Sequence, residues 1–198
     1  MNNNIDRNIL MLDMMFSKIN GSPNVIAVTI MIMRMNKVVS HETIYLECDE
    51  TIKWLKSIDC NNTISIIANS EDMYNYFAKI IKNNKNCEIW TDWEFDTQTK
   101  FLENVIKNDS ENIMFEKFRY IKYIFPNYMM KMDYRVYFNE KLFEIYPQLA
   151  DSKKVKELIK YDPLYRCSVN LYALTDYMLT DERVIIDYYV NNKLFKYK

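Results

Sequence analysis

Histidine is almost missing from this chain, one residue in 198, and cysteine is sparse. Cys48, Cys60, Cys87 and Cys167 lie far apart with no C-x-x-C pair. A structural zinc site needs four such ligands at close spacing, so none is expected. The scattered thiols read as reduced and place the protein inside a cell. No charge of one sign dominates: the net charge is -1. That excludes a global basic field advertising nucleic acid, while leaving room for a local basic groove. The longest apolar run, Val25 to Met33, is too short to span a bilayer. The opening "MNNNIDRNILMLDMMF" lacks a basic n-region and its apolar run is cut by Asp13, so it does not read as a signal peptide. No membrane association is expected. Glycine occurs once and proline four times. No segment repeats at a period of roughly 20 to 50 residues, which argues against a solenoid.

What is present is hydrophobic material, 49% of the residues, enough for a real core. The length suits one domain over residues 1–198, with 181–198 set apart as a C-terminal extension. "NILMLDMMF" is short and apolar and reads as a strand. "NGSPN" is turn chemistry. "VIAVTIMIMRM" and "KVVSHETIYLE" read as two further strands, joined as a hairpin by the pair Asn36-Lys37. Helical patterns follow. "DETIKWLKSI" has Asp49 or Thr51 as N-cap. "SEDMYNYFAKIIKN" has Ser70 as N-cap and apolar residues at helical spacing from Met73 to Ile81. "NTISIIA" reads as strand or loop, and "CEIWTDWEF" as a strand. "DTQTKFLENVIKN" is amphipathic, with Phe101, Leu102, Val105 and Ile106 on one face. The stretch 110–160 is helical in pattern, with "DSKKVKELIK" capped by Asp151 or Ser152. "DPLYRCSVNLYALTDYML" has Asp162 as N-cap and Pro163 at the first helical position. The tail "VIIDYYVNNKLFKYK" fits strand or helix. The order predicts a mixed α/β sheet with helices on its faces.

Within the first strand sits one acid, Asp13. A carboxylate in a strand interior is costly unless it is paired or holds a metal. This stretch, "ILMLDMMFSKINGSPNVIAVTIMIMRMNKVVSHETIYLE", resembles the opening of the DEDD, DnaQ-like 3′–5′ exonucleases, whose first strand carries D-x-E. Asp13 falls on the family's aspartate, and Met15 on its glutamate. "IWTDWEFDTQTKFL" resembles the second motif, with Asp96 on its aspartate. "YDPLYRC" resembles the third, H-x-A-L-x-D-A: Tyr161 stands where histidine is expected and Arg166 where the last aspartate is expected. "DETIKWLKSI" resembles the T-x-x-W helix of the phage exonuclease A branch. The resemblance covers roughly residues 8–180. It implies an RNase H-like sheet, three antiparallel strands first and parallel strands after, with helices on both faces.

The family's reaction is phosphodiester hydrolysis by two divalent metals held by four acids. Hard cations such as Mg²⁺ or Mn²⁺ want oxygen ligands. Of the four positions, Asp13 and Asp96 keep an acid. Met15 offers a thioether, a poor ligand for a hard cation. Arg166 brings a permanent positive charge whose planar fork matches a carboxylate. Lying between Asp13 and Asp96, it would neutralise Asp13 and take the place of the metals. Tyr161, with an unperturbed pKa near about 10, does not serve as a base at neutral pH as histidine would. If the register of the third motif is shifted, Tyr172 and Asp176, in "YALTD", become the catalytic pair. Glu47 is a weaker candidate. Plainer readings stand beside these. Asp13 would sit in a turn, Asp96 would cap a helix, and Arg166 would lie on a solvated helix face. Asp162 is most simply a helix cap, and His41 an exposed strand residue.

Trp54, Trp90 and Trp93 suit a core better than base stacking. Trp54, Lys153, Lys154 and Lys160 are the candidate nucleic-acid contacts, because the lysines from 153 to 160 are balanced only by Glu157. The leading expectation is an exonuclease-like fold without catalysis and without a cofactor, retained to bind single-stranded nucleic acid or a protein. An active Mg²⁺- or Mn²⁺-dependent exonuclease on single-stranded DNA or RNA is the alternative, with Asp13 and Asp96 as metal ligands. A viral, phage or mobile-element factor that binds other proteins is the third reading.

Overall fold

The computed structural model describes residues 7–19, 22–57, 65–91, 96–107, 118–121, 128–178 and 180–194. The first three strands are β1 (Ile9–Ile19), β2 (Ser22–Arg34) and β3 (Lys37–Leu46). They form an antiparallel meander, with Ile9 opposite Met33 and Ala27 opposite Tyr45. Met35 and Asn36 link β2 to β3 with φ of 49° and 59°. A two-residue hairpin with both positions left-handed is the type I′ turn, whose twist matches that of the strands. The turn thus sits one residue earlier than the expected Asn36-Lys37, and Lys37 pairs with Arg34 in the ladder.

Helix α1 (Asp49–Ser57), β4 (Ser65–Ile67), helix α2 (Ser70–Asn83), β5 (Glu88–Thr91), helix α3 (Asp96–Lys107) and β6 (Phe118–Tyr120) follow. β4 resolves the "NTISIIA" alternative in favour of a strand, parallel to β3. β6 is a strand inside the stretch expected to be helical. It is three residues long, too short for a period, and exists because β5 offers it a parallel partner. The sheet runs β4-β3-β2-β1-β5-β6, antiparallel at β1 to β3 and parallel from β1 through β5 to β6. This is an RNase H-like layout with one strand added beyond β3.

The remaining helices are α4 (Tyr128–Ile145), α5 (Pro147–Ala150), α6 (Lys153–Tyr161), α7 (Pro163–Ala173), α8 (Thr175–Met178) and α9 (Glu182–Asn192). The "VIIDYYVNN" tail is therefore helical. Local chemistry sets several ends. Ser152 caps α6 through Val155 N–H, and Asp162 caps α7 through Leu164 N–H, with Pro163 at the first position. The α2 cap is Asn69, which accepts from Asp72 N–H, so Ser70 is the first helical residue rather than the cap. At α1 the cap position falls to Cys48: its carbonyl accepts from Ile52 N–H, and its Sγ lies 3.1 Å from Thr51 Oγ1. Its Sγ also accepts from Thr51 N–H at 3.5 Å, the cap contact expected of Asp49 or Thr51.

Strand alternation splits the core in two. Leu10, Leu12, Met14, Val28, Ile30 and Ile44 face α2 and α3, where Met73, Phe77, Phe101 and Val105 pack. Ile9, Met11, Met31, Met33 and Trp90 face the opposite side, where α4, α6, α7 and α9 contribute Phe138, Val155, Leu164 and Ile186. Among the described residues, no helix is long and apolar enough to cross a membrane.

Candidate functional site

Asp13 shares its face of β1 with Ile9 and Met11, so its carboxylate points into the helical layer that contains α7. It is 2% exposed. The parallel pairing of β1 with β5 ends at Leu12 opposite Thr91. Asp13 therefore lies one residue past the last described β1–β5 pair, toward the carboxyl end of these parallel strands. To its other side stands Thr29, then Thr43 on β3, their hydroxyl oxygens 2.9 Å apart.

Helix α7 runs over this face, touching β1 through Cys167, whose thiol lies 3.5 Å from the Met11 carbonyl. Every residue of α7 is buried except Arg166. That side chain, 31% exposed, meets Asp13 along one edge of its guanidinium: Nε is 2.9 Å from Oδ2, and Nη2 donates to Oδ1 at 3.2 Å. The Nε contact is off line for a hydrogen bond, so its strength is chiefly Coulombic. The ion pair expected from the sequence is present, and it explains why a strand interior tolerates a carboxylate. The readings of Asp13 in a turn and of Arg166 on a solvated face do not hold.

This arrangement does not fit a divalent cation. Both oxygens of Asp13 face a guanidinium, which repels Mg²⁺ at the distance a second ligand should occupy. Met15, half-buried and two residues on, supplies sulfur rather than oxygen. Among the described residues no three His, Cys, Asp or Glu side chains converge on one point. Asp96 opens α3, as a residue before or at a helix start should, but its side chain lies outside the described residues, as do those of Trp54, Lys160, Tyr161 and Asp176, and all of Trp93.

The alternative pair of Tyr172 and Asp176 is divided between two helices. The expected single helix over "DPLYRCSVNLYALTDYML" ends at Ala173, and Asp176 lies in the distinct short helix α8. Tyr172 is buried, stacks edge-on against Phe138, and donates its hydroxyl to Glu182 at 2.7 Å. Glu47 is exposed, past the end of β3. Lys153 and Lys154 are exposed at the start of α6, as is Lys156. Trp90 is core, its indole N–H donated to Glu88 at 3.1 Å. His41 is half-buried rather than exposed: it pairs with Met31 in the sheet, and Nδ1 lies 2.9 Å from the Tyr188 hydroxyl on α9.

A second buried acid, Asp162, does more than cap a helix. Asp162 holds Leu164 N–H at 3.0 Å and accepts the Tyr189 hydroxyl at 3.0 Å, with Lys193 Nζ at 3.7 Å. Burial pushes its carboxyl up, against the opposing pull of Lys193 and the two donors. No signal in the sequence links residues 27 and 31 positions apart to a helix cap. Thr29 and Thr43 lie in stretches whose pattern marks only strands.

Compared with known proteins, the chain matches no family model and no curated protein.

Proposed function

We propose that this protein is a nuclease-shaped scaffold without hydrolytic activity, retained to bind single-stranded nucleic acid. The observation that carries the reading is the Arg166–Asp13 contact: a guanidinium stands where the resemblance to DEDD exonucleases would put a metal-binding aspartate. The RNase H-like sheet and the position of Asp13 toward the carboxyl end of its parallel strands support the same reading. The exposed lysines of α6, Lys153, Lys154 and Lys156, are suited to following a phosphate backbone. Helix α6 leads through Asp162 directly into α7, so this basic turn and Arg166 belong to consecutive elements.

The test is incubation of the purified chain with labelled single-stranded DNA and RNA in Mg²⁺ and in Mn²⁺. Both substrates should survive intact, and Asp13→Ala should behave as wild type. Degradation that disappears in Asp13→Ala would overturn the reading in favour of the metal-dependent exonuclease.

A further inference from the structure

The Asp13 contact uses one side of the Arg166 guanidinium. Arginine carries five N–H donors in a rigid fork, and Nε with one side of Nη2 serves Asp13. The remaining N–H groups, on Nη1 and the far side of Nη2, belong to a side chain that is 31% exposed, and Arg166 makes no other ion pair among the described residues. The fork is also held still. Its partner is 2% exposed and sits in a strand with neighbours paired on both sides at Met11 and Leu12. Its own helix is otherwise buried. A fixed guanidinium loses little entropy on taking a second oxyanion, and its free edge matches two oxygens of a phosphate at once.

The location is also one where ligands gather. In open α/β sheets, binding crevices form beyond the carboxyl ends of parallel strands where the strand order reverses direction. Here the chain passes from β1 to β2 on one side and from β5 to β6 on the other, so the order reverses between β1 and β5, and Arg166 meets Asp13 one residue past the last described β1–β5 pair. We infer that the outer edge of Arg166 is a metal-independent phosphate-binding site, with Asp13 as the positioning residue behind it. This rests on the proposed function and gives it a ligand group: the phosphate of a nucleotide, free or in a strand. The bound phosphate meets a guanidinium directly, and no bond is made or broken.

The test is calorimetric titration of the full chain in EDTA at low salt with inorganic phosphate, thymidine 5′-monophosphate, a short oligothymidylate, and thymidine as the phosphate-free control. Wild type should bind the three phosphate probes and not thymidine. Arg166→Gln should weaken phosphate binding by about tenfold or more, and Arg166→Lys, which keeps the charge but not the fork, should fall between. Because Arg166→Gln leaves Asp13 without its cation, Asp13→Asn/Arg166→Gln provides a neutral pair. If it unfolds at the wild-type temperature, its loss of binding is not due to misfolding. A preference for the oligonucleotide over the monophosphate assigns the site to a strand; equal binding assigns it to a free nucleotide. The inference is overturned if wild type takes no phosphate probe at millimolar concentration, if thymidine binds as well as its phosphate, or if Arg166→Gln binds unchanged. Those results leave the non-hydrolytic reading standing, whereas hydrolysis of the oligonucleotide in Mn²⁺ defeats that reading separately.

Discussion

The Asp13–Arg166 pair couples two residues that cannot be changed independently. Removing Arg166 leaves a buried charge with its cation gone, and Arg166→Ala should cost about 2 to 3 kcal/mol, below the full cost for a wholly buried pair because Arg166 is part-exposed. Replacing both, as in Asp13→Leu/Arg166→Met, removes the desolvation problem and should restore stability to within about 1 kcal/mol of wild type. Urea unfolding of the three proteins checks both expectations. Asp162 behaves differently because its burial is only partly offset. Its carboxyl is held above the usual range, so the folded state binds the proton more readily than the unfolded chain. Stability from this group is present below the unfolded carboxylate pKa and falls as pH rises through the folded one. Asp162→Asn, which can still cap α7, should remove that slope. The stability gained by the variant over wild type should grow between acid and neutral pH in urea titrations. An unchanged difference across that range would mean that Lys193 and the Tyr189 hydroxyl compensate the charge fully.

At the scale of elements, the β2–β3 hairpin carries a visible cost. Met35 holds a left-handed conformation at φ 49° while 70% exposed, so its side chain gains nothing to set against the backbone strain. Asparagine tolerates that region far better. Met35→Asn, which spares the bond from Thr180 Oγ1 to Asn36 Oδ1 at 3.3 Å, should stabilise the protein by about 1 kcal/mol in thermal unfolding. Helix α7 shows the opposite economy. It is an inner helix, covered by β1 and β2 on one side and by Phe138 of α4 and Tyr189 of α9 on the other. Its buried Asn170 has an Nδ2 with no acceptor among the described residues, a polar group that an apolar residue of similar size would replace without loss.

For the whole molecule, the last helix is part of the same core. Ile185, Ile186, Tyr189 and Val190 of α9 are fully buried among α7 and α4, and His41 ties β3 to Tyr188. Burying such side chains contributes about 1.5 to 3 kcal/mol each, so together they rival the entire stability of a typical domain. A chain ending at Thr180 should therefore lose its cooperative thermal transition, as measured by circular dichroism. Retention of a sharp transition would show that α9 is an appendage to a core complete without it.

Much of this organisation was legible along the chain. Short apolar and β-branched runs marked β1 and β2 and alternation marked β3, while helically spaced apolar residues marked α2 and α3 and capping residues marked α6 and α7, because these patterns arise from local geometry and burial of one face. The three-residue strands β4 and β6 were hard to read, since a strand that short is defined by the neighbour that pairs with it. The same holds for the site. That Asp13 needs a partner follows from the cost of an unpaired buried charge, and the residue type of Arg166 makes it a suitable one. Which edge of the guanidinium meets the carboxylate, and that Tyr189 and Lys193 close on Asp162, were decided by the packing of α7 and α9 against the sheet. Sequence determines what each residue can do locally; contacts between residues more than a hundred positions apart depend on how whole elements stack, and no local pattern encodes that.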